Sequence, residues 1–205
     1  MNPKAHWEAV YTSKAPEAVS WYAPHLERSL DYIRKTGLGP DAALIDIGGG
    51  ESTLVDDLLA AGFRDLSVLD ISARALEVAA ARLGPQAAGV RWIAADVLQH
   101  DFAPASLDVW HDRAVFHFLT GAGEREAYVR QALEALKPGG FAIVGSFGPQ
   151  GPEQCSGLPV MHYAPADLHA TFGAPFTLIE HGTDLHITPW GSSQEFVYCL
   201  CRRAA

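Results

Sequence analysis

The sequence predicts an α/β fold in which helices cover both faces of a mostly parallel sheet, and three observations predict it. Strand-like runs alternate with helical ones five times between Ala42 and Phe147, the rhythm of parallel strands joined by crossover helices. The first strand runs directly into Gly48, Gly49 and Gly50. The chain then ends on two long strand-like runs, FTLIEHGTDLHIT and EFVYCLC, with only Pro189 to Gln194 between them. Such runs pair as an antiparallel hairpin at one edge of the sheet.

Each element has a local reason. Residues 8–38 read as helical, with Leu26, Leu30 and Ile33 at helical spacing and a stop at Gly37. Ala42 to Ile47 is a buried strand, and Ser52 to Gly62 is a helix closed by glycine. Leu66 to Leu69 is the second strand, after which Ser72 caps a helix running to Gly84. VRWIAAD ends the third strand at Asp96, and LDVWH is the fourth. A helix around Glu124 to Leu136 is broken by Lys137 to Gly140, and FAIVGSF follows as the fifth strand. The Gly- and Pro-rich stretch from Gly148 to Pro159 is a long loop of the kind that often carries function.

Length and composition narrow the function. The 205 residues are enough for one core, so the chain reads as a single domain: residues 1–40 form an N-terminal helical lid segment and 41–205 the sheet core. A formal net charge of -9 argues against a nucleic-acid partner. Cys155, Cys199 and Cys201 are an odd set, and the alternation of the last two on one side of a strand suggests reduced thiols and a cytoplasmic setting. No signal-peptide pattern or bilayer-length apolar run is present, so no membrane partner is expected. One cysteine beside scattered histidines, His162, His181 and His186 among them, lacks metal-ligand spacing, so no metal is expected. A monomer is favoured.

The glycines point to a nucleoside. A P-loop needs Gly-Lys-Ser or Gly-Lys-Thr, but Glu51, Ser52 and Thr53 follow here. A dinucleotide fingerprint needs a third glycine where Thr53 stands, which leaves an NAD-dependent oxidoreductase as a weaker alternative. What remains is an acid followed by GxG: Asp46, Gly48 and Gly50. That form suits a ligand without a pyrophosphate. Asp70, about twenty residues on, ends the second strand as a ribose-binding acid does, and Asp96 ends the third, placed for an adenine amine. Each acid alone is equally a strand-end cap; together they share the carboxyl edge where open α/β sheets bind ligands.

DIGGGES, the acid in VLDIS, AADV, LDVWHDR and LKPGG resemble, in order and spacing, the class I S-adenosylmethionine-dependent methyltransferases from about Asp41 to Phe147. The resemblance implies a Rossmann-like seven-stranded sheet whose last two strands form a hairpin. It implies S-adenosyl-L-methionine as cofactor, with Gly48 and Gly50 under its methionine part, Asp70 on the ribose hydroxyls, Asp96 and Val97 on the adenine, and Ile71 on the purine face. WHDRAVFHF resembles the corresponding segment of thiopurine methyltransferases, although Ala114 stands where that family has glycine.

In-line methyl transfer mainly needs a nucleophile held against the methyl group and water kept out. His111, Asp112, Arg113, Ser146 and Phe147 end the fourth and fifth strands and are expected at the reacting centre, His111 against the cofactor and Asp112 and Arg113 in catalysis. Arg113 suits an anionic acceptor or a thiol whose pKa it lowers; the bland alternative is an Asp112 to Arg113 cap on the next turn. Trp7, Tyr11, Trp21 and Tyr22 are candidate lid aromatics or a packing staple, with Tyr11 and Trp21 expected near the cofactor. His162 or Tyr163 is a candidate border of the acceptor pocket. The expected activity is methylation of a small molecule, with a thiol or other soft nucleophile as the candidate acceptor. The alternatives are a protein lysine methyltransferase, against which the missing Asn-Pro-Pro or Asp-Pro-Pro run after the fourth strand speaks, and a cofactor-binding protein without catalysis.

Overall fold

All five residues of β1, Ala43–Ile47, are buried, because this strand lies inside the sheet with partners on both sides and helices on both faces. The computed structural model describes residues 2–205. Around β1 the chain builds α3 (Leu54–Ala60), β2 (Asp65–Asp70), α4 (Ala73–Leu83), β3 (Val90–Ala94), β4 (Leu107–Arg113), α5 (Ala122–Ala135) and β5 (Leu136–Phe147). After them come the two-residue strands β6 (Gln154–Cys155) and β7 (Leu158–Pro159), then α6 (Pro165–Phe172), β8 (Phe176–Ile187) and β9 (Ser193–Arg203). Preceding the sheet are α1 (Pro3–Ser13), a 3-10 turn at Pro16–Ala18 and α2 (Glu27–Lys35).

The seven-stranded sheet has the order β3-β2-β1-β4-β5-β9-β8. β1 to β5 pair in parallel, whereas β9 pairs antiparallel with both β5 and β8. The chain winds outward through β2 and β3, then returns past β1 to β4. Strand order therefore reverses between β1 and β4, and the loops leaving their carboxyl ends part there. One core layer lies under α5 and α6, with Tyr128, Ala132, Leu168 and Phe172 buried. The other lies under α2, α3 and α4, with Tyr32, Ile33, Leu58 and Leu76 buried.

The expected helix over residues 8–38 is two helices. Pro16 and Pro24 lack the N–H a continuing helix requires, so residues 14–26 run as a strap between α1 and α2. α2 packs in the core, so only α1 and the strap lie over the cavity described below. The fifth strand begins earlier than expected, at Leu136, because Gly139 at φ 80° and a bulge opposite Leu107 to Val109 let the Lys-Pro-Gly-Gly turn join the sheet. α6 went unread; Pro165 opens it and Gly173, at φ 70°, closes it.

Two buried polar networks tie the layers together. Trp110 Nε1 donates to Tyr128 Oη at 2.8 Å, and that hydroxyl donates to Asp112 Oδ2, linking β4 to α5. His111 bridges β1 and α2, with Nδ1 2.7 Å from Asp46 Oδ1 and Nε2 2.8 Å from Ser29 Oγ. Replacing Tyr128 by Phe leaves both the indole N–H and the Asp112 carboxyl short of a partner, so urea unfolding of Tyr128→Phe is expected to show a loss of about 1–3 kcal/mol.

Candidate active site

A cavity of about 550 Å³ lies across the carboxyl ends of β1, β2, β4 and β5. Its shape begins with the loop after β1. Gly48 sits at φ 65°, and the Gly48 and Gly49 amides donate to the Leu69 carbonyl at 2.7 and 3.2 Å. A Cβ on Gly48 would stand 1.9 Å from Val115 Cγ2, so a side chain here would have to displace Val115 as well as strain the backbone. Gly50, at φ 48°, faces α1: its Cβ would lie 2.6 Å from Tyr11 Oη and 3.1 Å from Asp70 Oδ2. Bare backbone is thus demanded first by the protein's own neighbours.

Asp70, Ile71, Asp96 and Val97 line one end of the cavity. Asp70 is buried and accepts only the Ser72 amide, at 2.8 Å on Oδ1. Burial, with the nearby carboxylates of Asp46, Glu8 and Glu51, pushes its carboxyl up to about 7 despite that hydrogen bond. Asp96 anchors its own turn, accepting from the Leu98 amide at 2.9 Å and from Gln99 Nε2 at 3.3 Å. Tyr11 and Trp21 form the roof with Trp7 and Phe118; ring centroids lie 5.9 Å apart for Trp7 with Tyr11 and with Trp21, and 5.2 Å for Trp7 with Phe118. Glu8 holds α1 down, because its carboxylate accepts from Ala73 N at 2.8 Å and Ser72 Oγ at 3.0 Å, at the start of α4.

The opposite end is walled by Arg113, Phe147, Cys155, Leu158, Pro159 and Phe196. Arg113 is held from two sides: Nη1 donates to the Trp21 carbonyl at 3.0 Å, and the guanidinium lies 4.6 Å from the centre of the Phe196 ring. Burial pushes the Cys155 thiol up to about 11. Ala114, also on the wall, is held at φ 76°, the left-handed region that glycine favours. That is the physical reason for glycine at this position in the family the sequence resembles.

Several expectations are corrected, Gly50 among them, which packs toward Tyr11 and does not line the cavity. Asp112 does not reach the cavity: it is fully buried and accepts from the Val115 amide at 2.8 Å, the Phe116 amide at 3.1 Å and the Tyr128 hydroxyl. It caps the 3-10 turn at Phe116–Phe118 rather than facing an acceptor, and burial raises its carboxyl to about 7. His111 likewise stands behind the loop, its two nitrogens taken by Asp46 and Ser29. Of the other candidates, Ser146 is wholly buried and away from the cavity, His162 Nε2 lies 3.0 Å from the Pro152 carbonyl, and Tyr163 packs against Phe116 in the core.

Three residues that matter here went unread. Phe118 supplies a roof ring; the pattern FHF carries no signal for it. His117 is fully buried, stacked 4.3 Å from Phe147, with neither ring nitrogen partnered, and burial lowers it to about 3, so the ring is neutral. Glu51 is the third, an acid directly after the glycines whose two carboxylate oxygens are buried without a partner.

The raised Asp70 carboxyl has a consequence for stability. Between about pH 4, where an unfolded aspartate titrates, and about 7 the folded state binds the extra proton. Stability contributed at this position therefore falls as pH rises through that window and is level above it. In urea unfolding across pH, the difference between wild type and Asp70→Asn is expected to follow that curve.

Residues 44–140 match the family model described as a methyltransferase domain. Among curated proteins, the chain is similar to the mouse eEF1A lysine and N-terminal methyltransferase, at 25% identity over 131 residues, 64% of this chain and 18% of that protein. The chain spans about a fifth of the length of the curated relatives it matches. Among solved structures, one from work on the conversion of a disulfide bond into a thioacetal group during echinomycin biosynthesis superposes with a TM-score of 0.80 at 20% identity, covering 98% of this chain and 93% of that one. A SAM-dependent methyltransferase from Anabaena variabilis superposes at 0.74 and 20% identity, covering 99% and 96%. At these identities the likeness is one of fold.

Proposed function

We propose that this chain, a member of the class I S-adenosylmethionine-dependent methyltransferase family, methylates a small-molecule acceptor, with a thiol or other soft nucleophile as the reacting group. The observation that carries this reading is the wall opposite Asp70 and Asp96. It is apolar and aromatic, and its charged side chain is the Arg113 guanidinium. Glu124 also borders the cavity, but one of its oxygens accepts the Gly121 amide at 2.8 Å.

Bound S-adenosyl-L-methionine supplies an electrophilic methyl group on a sulfonium. The chain's own residues have the remaining tasks. Gly48 lets the ligand approach the main chain while Gly50 makes room for Tyr11 beside Asp70, Asp70 accepts from ribose hydroxyls, Asp96 and Val97 meet the adenine edge, and Ile71 packs on its face. Tyr11 and Trp21 exclude water above them, while Asp46, braced by His111, keeps the loop in place. A protonated amine needs a base before it can attack, and the wall of Arg113, Phe147, Cys155, Leu158, Pro159 and Phe196 carries no carboxylate. A thiol needs only a raised thiolate fraction, which a nearby guanidinium provides. The free thiols of Cys155, Cys199 and Cys201 accord with a reducing, cytoplasmic setting.

A protein lysine acceptor is the second reading, favoured by the similarity to the mouse enzyme. Release of S-adenosylhomocysteine is to be measured against thiols, selenols, amines and carboxylic acids. Thiols or selenols are expected to turn over, and Arg113→Met to lower kcat/KM for them by about tenfold or more while moving the pH profile to the alkaline side. Transfer of labelled methyl into lysate proteins, with none into small molecules, would overturn the reading.

A further inference from the structure

We propose that Glu51 is the counter-charge for the ammonium group on the amino-acid arm of the cofactor. The inference rests on S-adenosylmethionine as cofactor and adds a residue to that site. A sulfonium carries three arms. With adenosine along Asp70 and Asp96, and the methyl group toward the wall bearing Arg113 and Phe147, the third arm needs a recess of its own. One exists: a pocket of about 40 Å³ shares Trp21, Gly48 and Arg113 with the main cavity and is otherwise lined by Asp46, Gly49, Glu51 and Thr53, among others. That volume holds a few small polar groups.

The acids around this junction differ in their satisfaction. Asp46 has the His111 ring at 2.7 Å, and Asp70 has the Ser72 amide at 2.8 Å. Glu51 is only 7% exposed, and neither carboxylate oxygen has a hydrogen-bond partner. A buried carboxylate left in this way is unfavourable until a cation meets it. The two cations of α4 that act on Glu51 are engaged elsewhere: the Arg82 guanidinium donates to the Glu51 and Ser52 carbonyls and to the Asp56 carboxylate, and Arg74 Nη1 lies 3.7 Å from Glu77 Oε2. Arg113 brings positive charge to the same recess, which then presents both signs, as a zwitterion requires.

Titration calorimetry with S-adenosylhomocysteine and with 5′-deoxy-5′-methylthioadenosine, which keeps the nucleoside and sulfur but lacks the amino-acid arm, tests this directly. Glu51→Gln is expected to bind the homocysteine compound roughly 10- to 100-fold more weakly and the methylthio compound within about twofold of wild type. Equal weakening of both, or of neither, overturns the proposal. Wild type alone supplies a second measurement if the variant does not fold. Burial raises the Glu51 carboxyl to about 6, against the opposing influence of Arg74 and Arg82 from α4 and with Glu17 from the 3-10 turn; Asp46 and Arg113 face it across the recess. Affinity for S-adenosylhomocysteine relative to the methylthio compound is therefore expected to fall as pH drops through about 6, and a ratio unchanged by pH overturns the proposal. Asp70 titrates nearby but meets the ribose that both ligands carry, so it cancels in the ratio. Absence of binding of either nucleoside to wild type would overturn the cofactor assignment, and the role of Glu51 with it.

Discussion

The backbone at Gly48 is the constraint on which the site depends. It is held on one side by the Leu69 carbonyl of β2 and on the other by Val115 beyond β4, whose methyl would stand 1.9 Å from a Cβ placed there. The loop after β1 is thereby clamped at the place where strand order reverses. Asp46 just before it, Gly50 just after it and the Asp70 turn beside it inherit their positions from that clamp. A displacement here would move the floor of the cavity and the carboxylate beside Gly50 together, which explains why a short glycine run controls so much of the chemistry.

Around this fixed point the protein keeps uncompensated charge. Asp70 and Glu51 are both held above the usual carboxylate range by burial, and neither receives a side-chain donor. Asp112, buried as deeply, is treated differently: two amides and a tyrosine hydroxyl surround it, and its work is to shape the turn that brings Val115 against Gly48. The contrast separates an acid whose oxygens the fold answers from acids it leaves short of donors. Burial alone does not make that distinction; the donor inventory does.

Much of the architecture was legible in the chain. Alternating patterns located β1 to β4, and the helix-free tail announced the β8–β9 hairpin, because period and punctuation are local properties. The boundaries that moved did so through proline and glycine chemistry at Pro16, Pro24 and Gly139. On the side of Asp70, Gly48, Ile71, Asp96 and Val97 border the cavity with it, since they sit at strand ends whose order the topology dictates, whereas Gly50 faces Tyr11 of α1 and does not line it. His111 and Asp112 share a strand end with Arg113, yet only Arg113 faces the cavity; which way a side chain turns depends on α2 and α5 packing from either face. Glu51 stood next to the glycines in plain view. That no donor among the described residues reaches its carboxylate is a property of packing, which the sequence does not carry.

The thiol of Cys155 stands in the wall of the cavity. Only the ionised sulfur is a strong nucleophile, and a pKa pushed to about 11 leaves about one such group in ten thousand ionised at neutral pH. The apolar surroundings therefore keep the protein's own sulfur a poor nucleophile beside an electrophile such as S-adenosyl-L-methionine, even with the Arg113 guanidinium pulling the other way. Burial at this one wall position acts as self-protection.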